Sequence, residues 1–157
     1  MTAKPSNSVS LTRPFDAEPA QVFDAWLDQE TAGKWLFTLP SREKHSTEID
    51  ARVGGAYTIY DRRNGKDYTA VGEYLEIDRP HRLVFTFGMP QFSPDFDRVI
   101  VEIMPDGAGC ILTLTQEDLR TGYQKSTKRG WGKMLDALAA TLSQWRELLP
   151  PSDQAEG

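Results

Sequence analysis

The sequence has few of the residues that build covalent or metal-based chemistry. It contains one cysteine, Cys110, and two histidines, His45 and His81, among 157 residues. A lone thiol forms no internal disulfide and leaves no thiolate cluster for a metal. Two histidines make a transition-metal site only where carboxylates converge on them. Phosphate-loop, dinucleotide and zinc-protease signatures are absent from the sequence, so it predicts a protein without a cofactor or a metal.

Long apolar runs and an excess of positive charge are missing as well. No segment approaches the ~20 apolar residues that a membrane-spanning helix needs, and residues 1–10 lack the apolar core of a signal peptide. The 23 acidic and 18 basic residues give a net charge of −5, whereas a nucleic-acid-binding domain concentrates Lys and Arg on one face. We therefore expect a cytoplasmic protein that binds neither membranes nor nucleic acid.

The length of 157 residues is that of one domain. We predict this domain over residues 9–149, with residues 1–8 and 150–157 as disordered ends. Residues 9–15 have the pattern of a strand, and two short helices follow, the first opened by Pro19. Alternating apolar residues and turn signals such as Asn64-Gly65 then predict six further strands in an antiparallel meander.

The C-terminal third of the chain predicts one long helix. Apolar residues recur there at spacings of three and four, which places them on one stripe: Trp131, Leu135, Leu138, Leu142, Trp145 and Leu149. A stripe this wide needs a large apolar partner, and a twisted sheet that curls around the helix supplies it. The predicted fold class is α+β, a curved antiparallel sheet wrapped around a long helix, with a cavity between the two.

Several short motifs, taken in order, resemble the activator-of-heat-shock-ATPase-like family of the SRPBCC (START-like) superfamily. They are Phe15-Asp16-Ala17, Val22-Phe23-Asp24-Ala25-Trp26, Lys34-Trp35, Asp50-Ala51-Arg52-Val53-Gly54-Gly55, Pro80-His81-Arg82-Leu83-Val84-Phe85-Thr86, Leu112-Thr113-Leu114-Thr115 and Gly130-Trp131. The resemblance implies the helix-grip fold, a cavity that holds a lipid-like or polyketide-like molecule, and a connection to chaperones and the stress response.

The aromatic residues predict where such a cavity lies. An aromatic interface between sheet and helix suits a flat or lipid-like ligand. Gly130, which is costly inside a helix, either lets the opposite wall approach or leaves room beside Trp131. The expected lining comprises Trp35, Phe37, Tyr57, Ile59, Phe85, Phe87, Phe92, Val101, Leu114, Trp131, Met134 and Leu135.

Four polar residues are candidates for facing the same cavity. His45 has an intrinsic pKa near neutrality and is the candidate acid or base. Glu73, Arg98 and Glu117 lie on predicted strands, where one of them can point inward and orient a ligand. No combination of these residues forms a recognisable catalytic constellation, so we assign no catalytic residue.

Three functions remain open on this evidence. The first, which we favour, is binding of a small hydrophobic or aromatic molecule by a monomer or homodimer. The second is a protein-interaction module with a chaperone partner, which predicts an exposed apolar patch and a filled core. The third is a cyclase or hydratase that uses the same cavity, which requires a titratable group facing it.

Overall fold

The computed structural model of the protein describes residues 8–37, 44–63, 65–91, 94–117 and 124–148. The described elements, in chain order, are β1 (Val9–Phe15), α1 (Pro19–Leu27), α2 (Gln29–Trp35), β2 (Lys44–Ile49), β3 (Ala56–Arg63), β4 (Lys66–Asp78), β5 (Arg82–Phe87), β6 (Asp97–Asp106), β7 (Gly109–Glu117) and α3 (Gln124–Leu148). This order confirms the predicted α+β arrangement. Several predicted features lie outside the described residues: the ends 1–7 and 150–157, Asn64, Phe92, Leu149 and the side chain of Trp145.

The seven strands form one curved antiparallel sheet in the order β1-β7-β6-β5-β4-β3-β2. Strands β2 to β7 are neighbours in sequence order, as in a meander. Some of them are joined by tight turns, such as the one at Gly107 with its φ of +59°. Strand β1 is the edge strand at the other side of the sheet and pairs with β7, from Val9 opposite Gln116 to Phe15 opposite Cys110. A register shift between Tyr74 and Glu76 interrupts the β4–β5 ladder, and such a bulge increases local bend and twist.

Helices α1 and α2 are joined through a capping residue and a pair of tryptophans. Pro19 stands in the first turn of α1, where its missing N–H is not needed. The side chain of Asp28 caps α2, since it accepts hydrogen bonds from the hydroxyl and the backbone N–H of Thr31. Both bonds favour the charged carboxylate and lower the pKa of Asp28. Trp26 and Trp35 meet edge to face at 4.7 Å and 88°.

Helix α3 carries two neighbouring stripes that differ in burial. The core stripe contains Trp131, Leu135, Leu138 and Leu142, whose exposed fractions are 0–5%. It belongs to one apolar cluster with the inward-facing residues of β6 and β7, among them Val101 and Leu114. The second stripe contains Thr127, Gly130, Met134 and Ala137, all of them half-buried. Because one full turn takes 3.6 residues, the two stripes lie side by side along the helix.

None of the three described helices combines the length and hydropathy that a bilayer crossing requires.

Gly72 on β4 is expected to tolerate no side chain. A Cβ at this position would overlap the carbonyl oxygen of Thr86 and lie 2.5 Å from Cε2 of Tyr57. We predict that Gly72→Ala lowers the free energy of unfolding by ~1–3 kcal/mol, because backbone atoms must move to admit the methyl group. Urea unfolding followed by far-UV circular dichroism measures the change.

A matched substitution in α3 should act in the opposite direction. Apart from the adjoining helix backbone and chain neighbours, a Cβ at Gly130 meets no atom of the described residues within 4 Å. Gly130→Ala therefore removes the helix cost of glycine, about 1 kcal/mol, without a clash. Equal unfolding midpoints for the two variants would contradict the assignment of Gly72 as a close-packing position.

Candidate functional site

A cavity of about 680 Å³ lies between α3 and the inner face of strands β3, β4, β5 and β7. We call it the α3 cavity. Its lining residues are Phe37, Ile59, Tyr68, Ala70, Phe87, Met89, Gln116, Ser126, Thr127, Gly130, Trp131, Lys133, Met134, Asp136 and Ala137. The volume falls in the range of about 300–1,000 Å³ typical of small-molecule sites.

Small residues on facing walls create this volume. Ala70 lies on the β4 wall, and Gly130 and Ala137 lie on the α3 wall. A side chain on Gly130 would project into open space, since no atom of the described residues outside the adjoining helix lies within 4 Å of its Cβ position. The sequence allowed two interpretations of Gly130, a close approach of the opposite wall or room beside Trp131. The structure favours the second.

An aromatic cluster forms one wall of the α3 cavity. The rings of Phe37 and Phe87 stack with centroids 4.7 Å apart and planes 15° from parallel. The ring of Trp131 meets Phe37 edge to face at 5.4 Å. These rings present flat apolar faces, the surface against which a planar molecule packs best.

Phe37 holds its place in this wall through a strained backbone. Its φ is +52°, in the left-handed region that a bulky side chain rarely adopts. Its N–H donates to the sulfur of Met134 on α3, at 3.2 Å, which ties the residue to the opposite side of the cavity. Backbone strain of this kind costs about 1–3 kcal/mol and recurs at ligand sites.

A chain of buried hydrogen bonds fixes the orientation of Trp131. The indole Nε1–H of Trp131 donates to Oε1 of Gln116 at 2.6 Å. Nε2 of Gln116 in turn donates to the carboxylate of Asp97 at 2.7 Å. Gln116 is 2% exposed and lines the cavity. Because the bonds at both ends are made, the amide and the indole are held in one relative geometry.

The mouth of the α3 cavity is polar. Ser126, Lys133 and Asp136 line the cavity and are also exposed to solvent. The carboxylate of Asp136 forms an ion pair with the guanidinium of Arg13 on β1, which links the edge strand to the helix. The site therefore combines an apolar interior with charged and hydroxyl groups at its entrance.

The predicted apolar lining divides into three groups in the structure. Five residues line the α3 cavity: Phe37, Ile59, Phe87, Trp131 and Met134. Tyr57 and Phe85 instead border a second void of about 10 Å³ beside Trp26. Trp35, Val101, Leu114 and Leu135 are buried in the apolar cluster away from both. Residues of one sheet face are thus split, because α1 and α2 help to fill one region of the core while small residues leave the other open.

The predicted polar residues do not line the α3 cavity where their side chains are described. Glu73 is exposed, and Arg98 pairs with Glu117 at 3.0 Å. Successive side chains along a strand point to opposite faces. Since Val99 and Gln116 face inward, their neighbours Arg98 and Glu117 face outward. The side chains of His45 and Phe92 lie outside the described residues.

Sequence reasoning missed several lining residues, including Tyr68, Met89, Gln116 and Lys133. A signal for Gln116 existed. It continues the alternation of Cys110, Leu112 and Leu114, all of which are buried. A polar residue on the inward face of a strand is therefore a better candidate for lining the cavity than a carboxylate on the opposite face.

The described residues offer little for acid–base or metal chemistry. Within residues 8–37, 44–63, 65–91, 94–117 and 124–148, no three His, Cys, Asp or Glu residues group to hold a metal ion. Burial raises the pKa of the Cys110 thiol, and it raises the pKa of Tyr57 above its ordinary value. Both groups therefore stay protonated at neutral pH. The hydroxyl of Tyr57 donates to the carbonyl oxygen of Thr86 at 2.7 Å.

A family model described as Activator of Hsp90 ATPase homolog 1-like protein matches residues 16–143 of the chain. A solved protein from Chromobacterium violaceum is 29% identical, with a TM-score of 0.74 over 85% of this chain and 95% of that one. A protein of unknown function from Staphylococcus aureus is 21% identical, with a TM-score of 0.76 over 89% and 95% of the two chains. The AHSA1-like protein from Aeromonas hydrophila is 19% identical, with a TM-score of 0.74 over 87% and 92%. No curated protein matches the chain.

The hydrogen bonds of Gln116 yield a direct test of this geometry. We predict that Gln116→Leu lowers the free energy of unfolding by ~1–3 kcal/mol, because the indole N–H of Trp131 and the carboxylate of Asp97 lose a buried partner. Chemical unfolding of the purified variant measures the loss.

A double-mutant cycle with Trp131→Phe isolates the indole–amide bond. Phenylalanine has no N–H to leave unpaired, so the double variant should be more stable than the sum of the single losses predicts, with a coupling of about 0.5–3 kcal/mol. Strict additivity of the two losses would contradict a direct bond between Trp131 and Gln116.

Proposed function

We propose that this chain, which belongs to the family of Activator of Hsp90 ATPase homolog 1-like proteins, binds a small apolar or aromatic molecule in the α3 cavity. The observation that carries the proposal is the half-buried stripe of α3, which faces about 680 Å³ of space instead of a packed sheet. The adjacent core stripe of the same helix is closely packed, so the space is local to one side of α3.

The size of the cavity supports an occupant. The α3 cavity of about 680 Å³ opens to solvent at the mouth that contains Ser126, Lys133 and Asp136, so water enters it when no ligand is bound. Water against Phe37, Phe87 and Met134 finds few hydrogen-bond partners, and an apolar molecule that displaces it is stabilised by burial.

The alternatives receive less support. An interaction module was expected to have a filled core, whereas the fold surrounds a cavity. A cyclase or hydratase needs a titratable group that faces its substrate. The titratable residues among the described lining residues are Tyr68, Lys133 and Asp136. Asp136 is paired with Arg13, and Lys133 lies at the exposed entrance. We therefore propose binding without catalysis.

Fluorescence titration with phenylnaphthylamine, a neutral apolar probe, tests the proposal. We expect the wild-type protein to bind the probe with increased, blue-shifted emission and to unfold at a higher temperature when the probe is saturating. Gly130→Phe places a ring in the open space beside Trp131 and should weaken probe binding at least about tenfold, or ~1.4 kcal/mol.

Gly132→Phe is the matched control. It adds the same side chain to the same helix, where the Cβ position meets Nη2 of Arg13 at 3.9 Å, and Gly132 is not among the described residues that line the cavity. Absence of probe binding by the wild-type protein would argue against the proposal, and so would equal binding by the two phenylalanine variants.

A further inference from the structure

Among the described residues, two charged side chains line the α3 cavity, Lys133 and Asp136. The Asp136 carboxylate is neutralised by Arg13. Lys133 has no ion-pair partner in the part of the chain that the structure describes. As far as the structure describes the chain, the entrance of this apolar cavity therefore presents an ammonium group without an ion-pair partner.

The charges around Lys133 reinforce this positive entrance. Between Gln124 and Leu135, helix α3 carries the basic residues Lys125, Lys128, Arg129 and Lys133 and no acidic residue. The whole chain has a net charge of −5, whereas this segment is positively charged. A local concentration of one sign beside a low-dielectric cavity raises the local concentration of oppositely charged ligands.

The position of Lys133 on the helix places its charge beside the apolar wall. Ser126 and Lys133 are seven residues apart, which is about two turns of helix, and both line the cavity on the same side of α3. Gly130 and Met134, also lining residues, lie on the adjacent stripe. A molecule whose apolar body occupies the interior therefore has its outer end within reach of an ammonium group and a hydroxyl.

We infer that the molecule bound in the α3 cavity is a flat aromatic compound with a carboxylate, and that Lys133 at the entrance recognises this acid. The inference rests on the proposed function, because it names the chemical class of the ligand for the same cavity. Its ring system packs against Phe37, Phe87 and Trp131, which offer planar apolar surfaces. Its carboxylate pairs with Lys133, which has no ion-pair partner within the described segments.

A pair of isosteric probes separates the charge from the shape of the ligand. Pyrenecarboxylate and pyrenecarboxamide have the same ring system and nearly the same size, and they differ in charge. Fluorescence titration at low ionic strength should give a dissociation constant for the carboxylate about two- to fivefold lower than for the amide, the range expected for an exposed ion pair. The preference should shrink as salt is added, because exposed charges are screened.

Lys133→Gln keeps a polar, slightly shorter side chain and removes its charge. The ratio of the two dissociation constants should fall to about one in this variant. Lys128→Gln is the control, since it removes one positive charge from the same helix at an exposed residue that does not line the cavity. We expect the preference for the carboxylate to persist in the control.

The outcomes distinguish the two proposals. Tight binding of both probes with no preference, or a preference that survives Lys133→Gln, would overturn the inference and leave cavity binding supported. Equal loss of preference in the Lys133 and Lys128 variants would also overturn it, because the effect would then be one of general charge. Binding of neither probe would count against the proposed function itself, and the inference would fall with it.

Discussion

The structure depends above all on the placement of Trp131, which belongs to the core and to the cavity at once. One side of its ring lies against Trp26 at 5.9 Å, within the cluster that joins α1 and α2 to the sheet. Another side meets Phe37 at 5.4 Å in the cavity wall. Its N–H is held by Gln116 on β7. With the helix thus fixed in rotation, the core stripe faces the sheet and the adjacent stripe faces open space.

Much of the fold could be predicted from the sequence because it follows from strong local patterns. The stripe through Trp131, Leu135 and Leu138 defines α3, and the alternation through Leu112 and Leu114 defines β7. Turn residues with positive φ, such as Gly107, set the meander. These signals involve neighbours in the chain, so a single sequence contains them.

The residues that line the site were harder to predict, because the lining depends on which parts of the inner face of the sheet are covered by α1 and α2. Val101 and Phe87 are both apolar strand residues, yet the first is in the core and the second lines the cavity. Nothing local distinguishes them. Charge on a strand was a poor guide as well: Glu73, Arg98 and Glu117 were predicted to be candidates for orienting a ligand, but they do not line the cavity. Gln116 is the polar residue that does line the cavity. It continues an alternation of apolar residues, so the sequence pattern predicted it to be part of an ordinary strand rather than a site residue.

The backbone of Phe37 has a consequence for how this chain tolerates change. At φ = +52°, glycine or asparagine would suit the main chain better than phenylalanine. Either replacement would remove the ring that stacks on Phe87. A more relaxed backbone at position 37 would therefore remove one aromatic face from the wall of the α3 cavity. The main chain and the cavity wall place opposite demands on this residue, so a substitution that relieves the backbone here enlarges the cavity at the same time.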